Sequence, residues 1–224
     1  QIVKLPEDQR MSIEFDGVFQ DAEVFLNGKR VGRHQGGYTG FTFDVTSAVQ
    51  EGDNVLAIRV NNLWNPRLNP RAGEHQFNGG IYRNVYLVKT SDVCVDWYGT
   101  FVTAAGLPRS GGPVHISTDI RNSSGRSRLI SLRTDLLDPS GQQVATVTSK
   151  QTVDAGAVLT VQQTTPFVSK PMLWGLGHPT LYTAVSQVTD GTRELDRYTT
   201  PFGFRWFRWT AEKGFFLNGK HHYF

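Results

Sequence analysis

The sequence contains little of what marks a disulfide-rich, membrane-spanning or secreted chain. One residue of 224 is a cysteine, Cys94, so neither an internal disulfide nor a metal site of several cysteines can form, and Cys94 is expected to be small, apolar and buried. No apolar run approaches the roughly 18 residues that cross a bilayer as a helix, so no membrane partner is predicted. No basic stretch followed by an apolar one opens the sequence, so no signal peptide is predicted. The compartment, cytoplasmic or periplasmic, stays open.

Residues 1–202 also contain no region in which charges of one sign strongly predominate. Its 23 basic and 20 acidic residues balance up to residue 202, and the net charge of +3 arises entirely after that point. Nucleic-acid binding requires a basic face on a folded unit, so no nucleic-acid partner is predicted. With 38% hydrophobic and 19% charged residues, the composition excludes a disordered chain.

Turn-forming and aromatic residues are abundant, with 23 Gly, 10 Pro, 14 Phe, 5 Trp and 7 Tyr, which favours short strands and many turns. Apolar and polar residues alternate in the first part of the chain, the period of half-buried strands. The predicted strands are 11–17, 22–28, 29–32, 41–45, 54–60 and 81–88, and residues 46–53 are a turn or helical stub. Residues 61–80 lack periodicity, and so long a loop in a compact domain is usually functional. These features predict an antiparallel β-sandwich over residues 1–90.

A second set of short strands follows, with turns at residues 122–125, 138–141, 154–156 and 189–191. Seven strands at this spacing over residues 91–202 predict an immunoglobulin-like sandwich, and the absence of a cysteine pair excludes the antibody subtype. The predicted strands are 93–103, 114–121, 127–137, 142–148, 157–163, 181–187 and 195–200.

Residues 203–224 differ from the rest in being dense in aromatic and basic side chains. Residues 216–220 (FLNGK) repeat residues 25–29, and the Asn-Gly pair in each copy predicts a β-hairpin because a type I′ turn needs two positive φ angles. The second strand of the later hairpin begins just before the last residue, and the first sandwich has few strands for a closed jelly roll. We therefore expect the chain to be a fragment of a longer protein.

Five groups of residues, in order, carry a family resemblance. Residues 15–32 (FDGVFQDAEVFLNGKRVG), 43–60 (with FDV and GDNVLAIRV), 79–87 (GGIYRNVYL), 173–182 (with LW and PTLY) and 203–220 (with GFR and FLNGK) match the motifs. Together they resemble glycoside hydrolase family 2, most closely its β-galactosidase branch. The resemblance implies a jelly-roll sugar-binding domain, then an immunoglobulin-like domain, then a (β/α)₈ barrel that residues 203–224 only begin.

In this family both catalytic carboxylates belong to the barrel, so the resemblance implies no catalytic residue in this chain. Retaining hydrolysis needs two carboxyl groups roughly 5 Å apart across one sugar. The resemblance implies a longer enzyme that hydrolyses terminal β-D-galactosides, with its own barrel and a β-galactoside as partners. β-Glucuronidases and β-mannosidases share these domains and are the alternatives within the family. We expect the 224 residues alone to be inactive.

The loop at residues 61–80 supplies the candidate substrate-binding residues. The resemblance aligns Glu74 with an acidic residue that reaches the sugar pocket, where a carboxylate accepts hydrogen bonds from hydroxyls or holds a cation. The alternative is a solvated loop acid. His75, Asn78 and Arg71 either bind hydroxyls or satisfy loop backbone groups. Trp64 is a candidate platform for the C–H face of a pyranose.

Other aromatic and basic residues each have a structural and a functional interpretation. Trp97 and Tyr98 are sugar platforms or, more commonly in sandwiches, core aromatics. Arg83 has an expected structural role, with sugar contact as the alternative. Trp174 is expected to pack, and Trp206 and Trp209 are expected to form cation–π stacks with the neighbouring arginines. His221 and His222 point to opposite faces of a strand and cannot together chelate one ion, and no metal site is predicted.

Two hypotheses of other classes remain. One is a free-standing carbohydrate-binding module, and the other is a sandwich that mediates homo-oligomerisation. The aromatic end of the chain disfavours both, because an exposed apolar patch marks a missing partner. No cofactor motif is visible, and Mg or Na ions are the candidate cofactors of the longer protein.

Overall fold

The computed structural model describes residues 4–68, 78–104 and 110–223, and every regular element in these ranges is a β-strand. The chain forms two compact units, Gln1–Ser91 and Asp92–Phe224. A search of the described residues finds no helix able to cross a membrane.

The first unit is a small β-sandwich. Its strands are β1 (Gln9–Phe15), β2 (Val18–Phe19), β3 (Asp21–Leu26), β4 (Lys29–Gln35), β5 (Phe41–Asp44), β6 (Leu56–Asn61), β7 (Gly80–Ile81) and β8 (Val85–Ser91). Two antiparallel three-stranded sheets, β5-β1-β8 and β4-β3-β6, are accompanied by the short pair β2-β7.

Strict alternation along β1 and β3 builds the core of this unit. Side chains of successive strand residues point to opposite faces, so every second residue enters the space between the sheets. The buried cluster comprises Met11, Ile13, Phe15, Val18, Ala22, Val24, Leu26, Phe41 and Val45. The rings of Phe15 and Phe41, which are cross-strand partners in the β1–β5 pair, stack within this cluster with centroids 4.7 Å apart.

The second unit is a seven-stranded sandwich with additional short strands. Its strands are β9 (Val93–Thr103), β10 (Gly111–Gly112), β11 (His115–Asn122), β12 (Arg128–Leu137), β13 (Gln143–Val153), β14 (Val158–Thr164), β15 (Val168–Ser169), β16 (Tyr182–Asp190), β17 (Arg193–Phe202), β18 (Phe207–Thr210), β19 (Gly214–Leu217) and β20 (Lys220–His222). The antiparallel sheets β14-β11-β9 and β13-β12-β16-β17 face each other.

All seven predicted strands of this sandwich are present. β13 continues to Val153 and β17 to Phe202, beyond the predicted ends at residues 148 and 200, because long antiparallel partners keep their backbone groups paired. Two clusters of buried apolar side chains fill the space between the sheets. Cys94 is buried, as expected of a lone cysteine.

The end of the chain packs onto the second sandwich. Leu173 forms a parallel bridge with Phe204, which is buried in the core, and the Trp174 amide donates to the Phe204 carbonyl at 2.9 Å. The Arg205 guanidinium lies 4.6 Å from the centre of the Trp174 ring. The packing role expected of Trp174 is therefore confirmed. Beyond this contact, β18, β19 and β20 form an antiparallel three-stranded sheet.

Candidate functional site

The candidate loop of the first unit leaves and re-enters the sandwich at neighbouring points. Asn61, at the end of β6, pairs with Asp21, while Gly80 of β7 pairs with Phe19. A Cβ at Gly79 would lie only 2.1 Å from Asn62 Nδ2, so the two ends of the loop are in contact. The loop therefore has a narrow base, and the described loop residues that lead away from it, 62–68 and 78–79, are called the rim.

Gln20 anchors the first part of this rim. Its side chain is buried at 2% exposure, and its Nε2 donates to the Leu63 carbonyl at 2.6 Å. A buried amide is stable only when it is hydrogen-bonded, so this contact fixes the backbone just before Trp64. Trp64 is 66% exposed, which excludes the core interpretation of its ring and suits a platform. The sequence offered no signal for Gln20, because one buried glutamine makes no pattern.

A cluster of aromatic side chains that the sequence does not single out lies near the second end of the loop, beside β7. The Tyr82 hydroxyl donates to the Gly37 carbonyl at 2.5 Å and ties β7 to the glycine-rich turn before β5. The Tyr38 ring lies edge-on to the rings of Phe19 and Tyr82, with centroids 5.9 and 6.4 Å away. Tyr38 is 52% exposed, so one face of this cluster is open to a ligand. Its position within the turn GGYTG was the available signal.

The predicted site residues fall into two groups. Glu74 and His75, together with Arg71, lie outside the described residues. Asn78 is exposed at the second end of the loop. Arg83 is exposed, and its side chain makes no hydrogen bond or ion pair with the described part of the chain.

A polar cavity of about 360 Å³ adjoins the start of the loop, lined by Asp21, Glu23, Arg59, Val60, Asn61 and Asn62. The Arg33 guanidinium binds Asp21 through two hydrogen bonds of 2.6 and 2.8 Å, and these hold the pKa of Asp21 below its usual value. Glu23 pairs with Arg59 at 2.6 Å and Arg30 at 3.2 Å. Because Asp21 stays ionised, it can accept hydrogen bonds from hydroxyls but cannot donate a proton as a general acid.

One carboxylate pair in the second unit has pKa values displaced in opposite directions, a pattern found in acid–base catalysis. Burial raises the pKa of Asp196, and hydrogen bonds from Arg197 and Gln187 lower that of Glu194. The Asp196 carboxylate, however, accepts the Val95 amide at 2.8 Å and so links the two sheets. Both carboxylates are therefore occupied by structural contacts rather than displayed to a substrate.

The remaining aromatic candidates are distributed over the second unit. Trp97 and Tyr98 are exposed, so the core interpretation is wrong for both. The cation–π contacts of the two C-terminal arginines also differ from expectation. Arg205 lies over Trp174, and Arg208 lies 5.0 Å from the Phe216 ring centre, because antiparallel pairing places Arg208 opposite Phe216.

His221 and His222 contact different rings, as expected for adjacent strand residues. The His221 ring lies 5.0 Å from Phe216, and the His222 ring lies 6.4 Å from Phe215. A search of the described ranges finds no group of three or more His, Cys, Asp or Glu that could hold a metal ion.

Two family models match the chain. The sugar-binding domain of glycosyl hydrolases family 2 matches residues 3–91, and the domain described as glycosyl hydrolases family 2 matches residues 99–205. The chain belongs to glycosyl hydrolase family 2. The expected fold, a sugar-binding β-sandwich followed by an immunoglobulin-like one, is thereby confirmed.

Similar proteins are named as two kinds of glycosidase. The β-galactosidase BoGH2A of Bacteroides ovatus is 39% identical over 93% of this chain and 24% of its own length. A β-glucuronidase of Bacteroides fragilis is 33% identical over 95% of this chain and 31% of its own length. The chain thus spans about a quarter to a third of the length of these relatives.

Solved structures agree with this assignment. A putative β-galactosidase from Bacteroides fragilis superposes with a TM-score of 0.89 at 26% identity, over 96% of this chain and 33% of that one. A β-glucuronidase from Bacteroides uniformis gives 0.88 at 28% identity, over 97% of this chain and 27% of that one.

Proposed function

We propose that these residues are the non-catalytic domains of a retaining β-glycosidase that hydrolyses terminal β-D-galactosides. In this proposal the loop of the first unit shapes the substrate pocket, while a catalytic barrel elsewhere in the polypeptide supplies both carboxylates. The observation that supports the proposal is the narrow base of the loop, formed by Asn62 and Gly79, with Trp64 and Asn78 exposed near its two ends. Glu74 and His75 belong to the same loop and are proposed to bind sugar hydroxyls.

The C-terminal sheet supports the presence of a further domain as partner. Its exposed aromatic side chains include Phe207 and Trp209 at 64% and 63% and Tyr223 at 89% exposure. A cavity of about 640 Å³ is lined largely by aromatic side chains of this sheet. A contiguous apolar surface of this kind is costly in water, so we propose that the barrel covers it. Homo-oligomerisation and bound Mg or Na ions remain proposals for the longer protein.

The choice of sugar depends on finer observations. The relative at 39% identity is named a β-galactosidase, which favours a galactoside over a glucuronide. A β-glucuronide is the second candidate, since several relatives, including one at 34% identity, carry that name or its putative form. A glucuronide carries a carboxylate, so the two substrates differ by one negative charge.

The test is kinetic and uses the longer polypeptide that contains these residues. We expect nitrophenyl β-D-galactoside to be hydrolysed with a higher kcat/KM than the β-D-glucuronide or β-D-mannoside. Trp64→Ala should raise KM by about fivefold with a smaller change in kcat, because a lost aromatic contact costs roughly 1 kcal/mol of binding. Leu63→Ala, the matched control, removes a neighbouring side chain of 74% exposure and should leave KM unchanged.

Three results would each contradict a part of the proposal. Turnover by the 224 residues alone would mean that the catalytic groups lie within them. A preference for the glucuronide would replace the galactoside with the second candidate and leave the domain assignment intact. Equal KM effects of Trp64→Ala and Leu63→Ala would remove Trp64 from the pocket.

A further inference from the structure

A large bulge interrupts β9 in the second unit. Val95 pairs with Ile120 and Thr100 with Thr118, so the four residues from Asp96 to Gly99 lie opposite one residue, Asp119. The surplus backbone projects from the sheet and carries two adjacent aromatic residues. Bulges of this kind aim side chains in directions that a regular strand cannot.

Specific contacts build this projection. Tyr98 has a φ of 50°, which is uncommon for a bulky residue and indicates a constrained backbone. A Cβ at Gly99 would lie 2.7 Å from the Asp96 carbonyl oxygen, so only glycine fits. The Asp96 carboxylate accepts the Trp97 amide at 2.9 Å and binds the Arg121 guanidinium at 2.7 Å. The conformation of the bulge is therefore fixed by the close approach of the backbone at Gly99 and by the hydrogen bonds of the Asp96 carboxylate.

The two aromatic rings form an exposed platform. The Trp97 and Tyr98 rings contact each other edge to face, with centroids 4.8 Å apart. Tyr98 is 72% exposed and Trp97 is 37% exposed, and Phe101 on the same strand is 68% exposed. Aromatic faces carry the negative end of the ring quadrupole and suit the polarised C–H groups of a sugar ring.

Polar side chains, one of them the Asp119 carboxylate, continue the surface across β11 and β14. Ile116, Thr118 and Ile120 are buried, so the alternate residues Ser117 and Asp119 face outward. The outward side chains are linked in pairs across the strands, Gln162 Nε2 to Ser117 Oγ at 2.9 Å, Thr160 Oγ1 to Asp119 Oδ1 at 2.5 Å, and His115 Nδ1 with Thr164 Oγ1 at 3.0 Å. Each pair retains lone pairs or protons for further hydrogen bonds.

The charges of this face restrict its ligand. Within β9, β11 and β14 the Asp, Glu, Lys and Arg side chains are Asp96, Asp119 and Arg121, and Arg121 is already paired with Asp96. No unpaired cation on these strands is available for an anionic ligand. A protein partner would have to desolvate the Ser117, Asp119 and Gln162 groups, whereas sugar hydroxyls both donate to and accept from such groups.

We propose that the outer face of the β14-β11-β9 sheet, with Trp97 and Tyr98 as its platform, binds a neutral oligosaccharide. The site lies on strands of the second unit alone, and its binding of sugar does not depend on the proposed function.

Affinity electrophoresis of the 224-residue chain tests this site. Native gels containing β-1,4-galactan or mixed-linkage β-glucan provide neutral probes, and polygalacturonate provides an anionic one. We expect retardation by at least one neutral polysaccharide and none by polygalacturonate. Trp97→Ala should weaken the retardation at least tenfold, and Tyr98→Asn should weaken it while keeping a residue that tolerates positive φ. Phe167→Ala, which removes a ring of 60% exposure outside the three strands, is the control and should bind as the unaltered chain does.

Three outcomes would overturn the proposal. They are no retardation by either neutral probe, undiminished retardation of both variants, and stronger retardation by polygalacturonate. If Trp97→Ala and Tyr98→Asn leave the binding undiminished while Trp64→Ala abolishes it, the sugar affinity belongs to the loop of the first unit. Should Trp97→Ala melt at a lower temperature than the unaltered chain, Tyr98→Asn decides, since it leaves the indole and the glycine in place.

Discussion

The two copies of the pentapeptide FLNGK, one in each unit, form the same turn. Asn27 and Asn218 both have a φ of 51°, and Gly28 and Gly219 both have a φ of 78°. These are the two positive φ angles of a type I′ hairpin, which matches the right-handed twist of the flanking strands. Five residues are therefore sufficient to specify the turn, regardless of the sandwich around it.

The asparagine side chain has the same role in both copies. In the first copy, the backbone N–H of Asn27 donates to the Val55 carbonyl, and the side-chain Oδ1 of Asn27 accepts a hydrogen bond from the backbone N–H of Val55. Both distances are 2.9 Å. In the second, Asn218 exchanges the same two bonds with Trp206, at 2.8 and 3.1 Å. Each asparagine thus attaches its hairpin to a third chain segment as a strand residue would.

The surroundings of the two turns differ. Leu26 belongs to the buried cluster of the first sandwich. Leu217 is also buried, but it lies outside the apolar clusters found in the described residues, and Phe207 and Trp209 beside it are exposed. A local motif determines the turn, and the tertiary contacts determine how strongly the turn is coupled to global stability.

The largest expected effect separates the two asparagines. Asn27→Ala removes the bonds to Val55, to the Ala48 carbonyl and to Asn54, and places alanine at positive φ. It should destabilise the β3–β4 hairpin and the first sandwich together by about 3 kcal/mol. Asn218→Ala should open β19 and β20 locally and change global stability by less than about 1 kcal/mol. Amide hydrogen exchange in β3 and β19 measures the two effects.

Asn27→Gly is the matched control for this comparison, because it loses the same side-chain hydrogen bonds but has no Cβ to be strained at positive φ. It should cost less than Asn27→Ala. Equal global destabilisation by the two alanine variants would mean that the C-terminal sheet belongs to a cooperative core.

A smaller and equal effect is expected at the glycines. Neither Gly28 nor Gly219 has an atom within 4 Å of an added Cβ, so alanine costs only the strain of positive φ, about 1 kcal/mol in each hairpin. Local hydrogen exchange should show the same loss at both sites. Gly125→Ala, also free of neighbours but without a positive φ, should be neutral or slightly stabilising. Unequal losses at Gly28 and Gly219 would show that the turns are not equivalent.

These turns also show how far the sequence determined the fold. Periodicity and turn residues predicted β9 to the residue, at 93–103, and both Asn-Gly hairpins. Strands β10 and β15 were missed, because two residues are too few for a period and only their mutual pairing defines them. Local signals predict local structure, whereas pairing between short distant segments depends on the whole fold.

The candidate site was less predictable than the fold. The resemblance and the lack of periodicity identified the loop with Trp64 and Asn78. The anchor Gln20 and the aromatic cluster at Tyr38 follow from contacts between segments far apart in sequence. For Trp97 and Tyr98 the sequence leaves a sugar platform and a core position open and favours the core, because an aromatic residue in a strand is usually buried. The bulge that exposes the two rings has no signature in the sequence beyond Gly99.

Acid should weaken the first hairpin through Asp21. The hydrogen bonds from Arg33 lower the pKa of Asp21, so their contribution is present above the unfolded value near 3.9 and is lost as pH falls through the lower folded pKa. Asp21→Asn should therefore destabilise the first unit at pH 6 by less than about 1 kcal/mol, as for other ion pairs near the surface, and by a smaller amount at pH 2. Urea unfolding at both pH values measures this difference.

Arg33→Gln is the control for the acid effect, because it should remove the same pH-dependent stability. The β19–β20 hairpin contains no carboxylate within its strands, so its protection should be the same in Asp21→Asn and the unaltered chain. A loss from Asp21→Asn that is as large at pH 2 as at pH 6 would mean that Asp21 acts through packing and not through its charge.

The smallest effect is expected where an arginine covers the second hairpin. The Arg208 guanidinium lies 5.0 Å from the centre of the Phe216 ring, and an exposed cation–π contact contributes about 0.5 kcal/mol. Arg208→Gln should speed hydrogen exchange in β18 and β19 about twofold and leave β3 unchanged. Arg208→Lys keeps the charge and should recover part of the protection. Equally accelerated exchange in the Gln and Lys variants would mean that the planar guanidinium, and not the positive charge, makes the contact. Unchanged exchange in both variants would mean that strand pairing alone holds this hairpin.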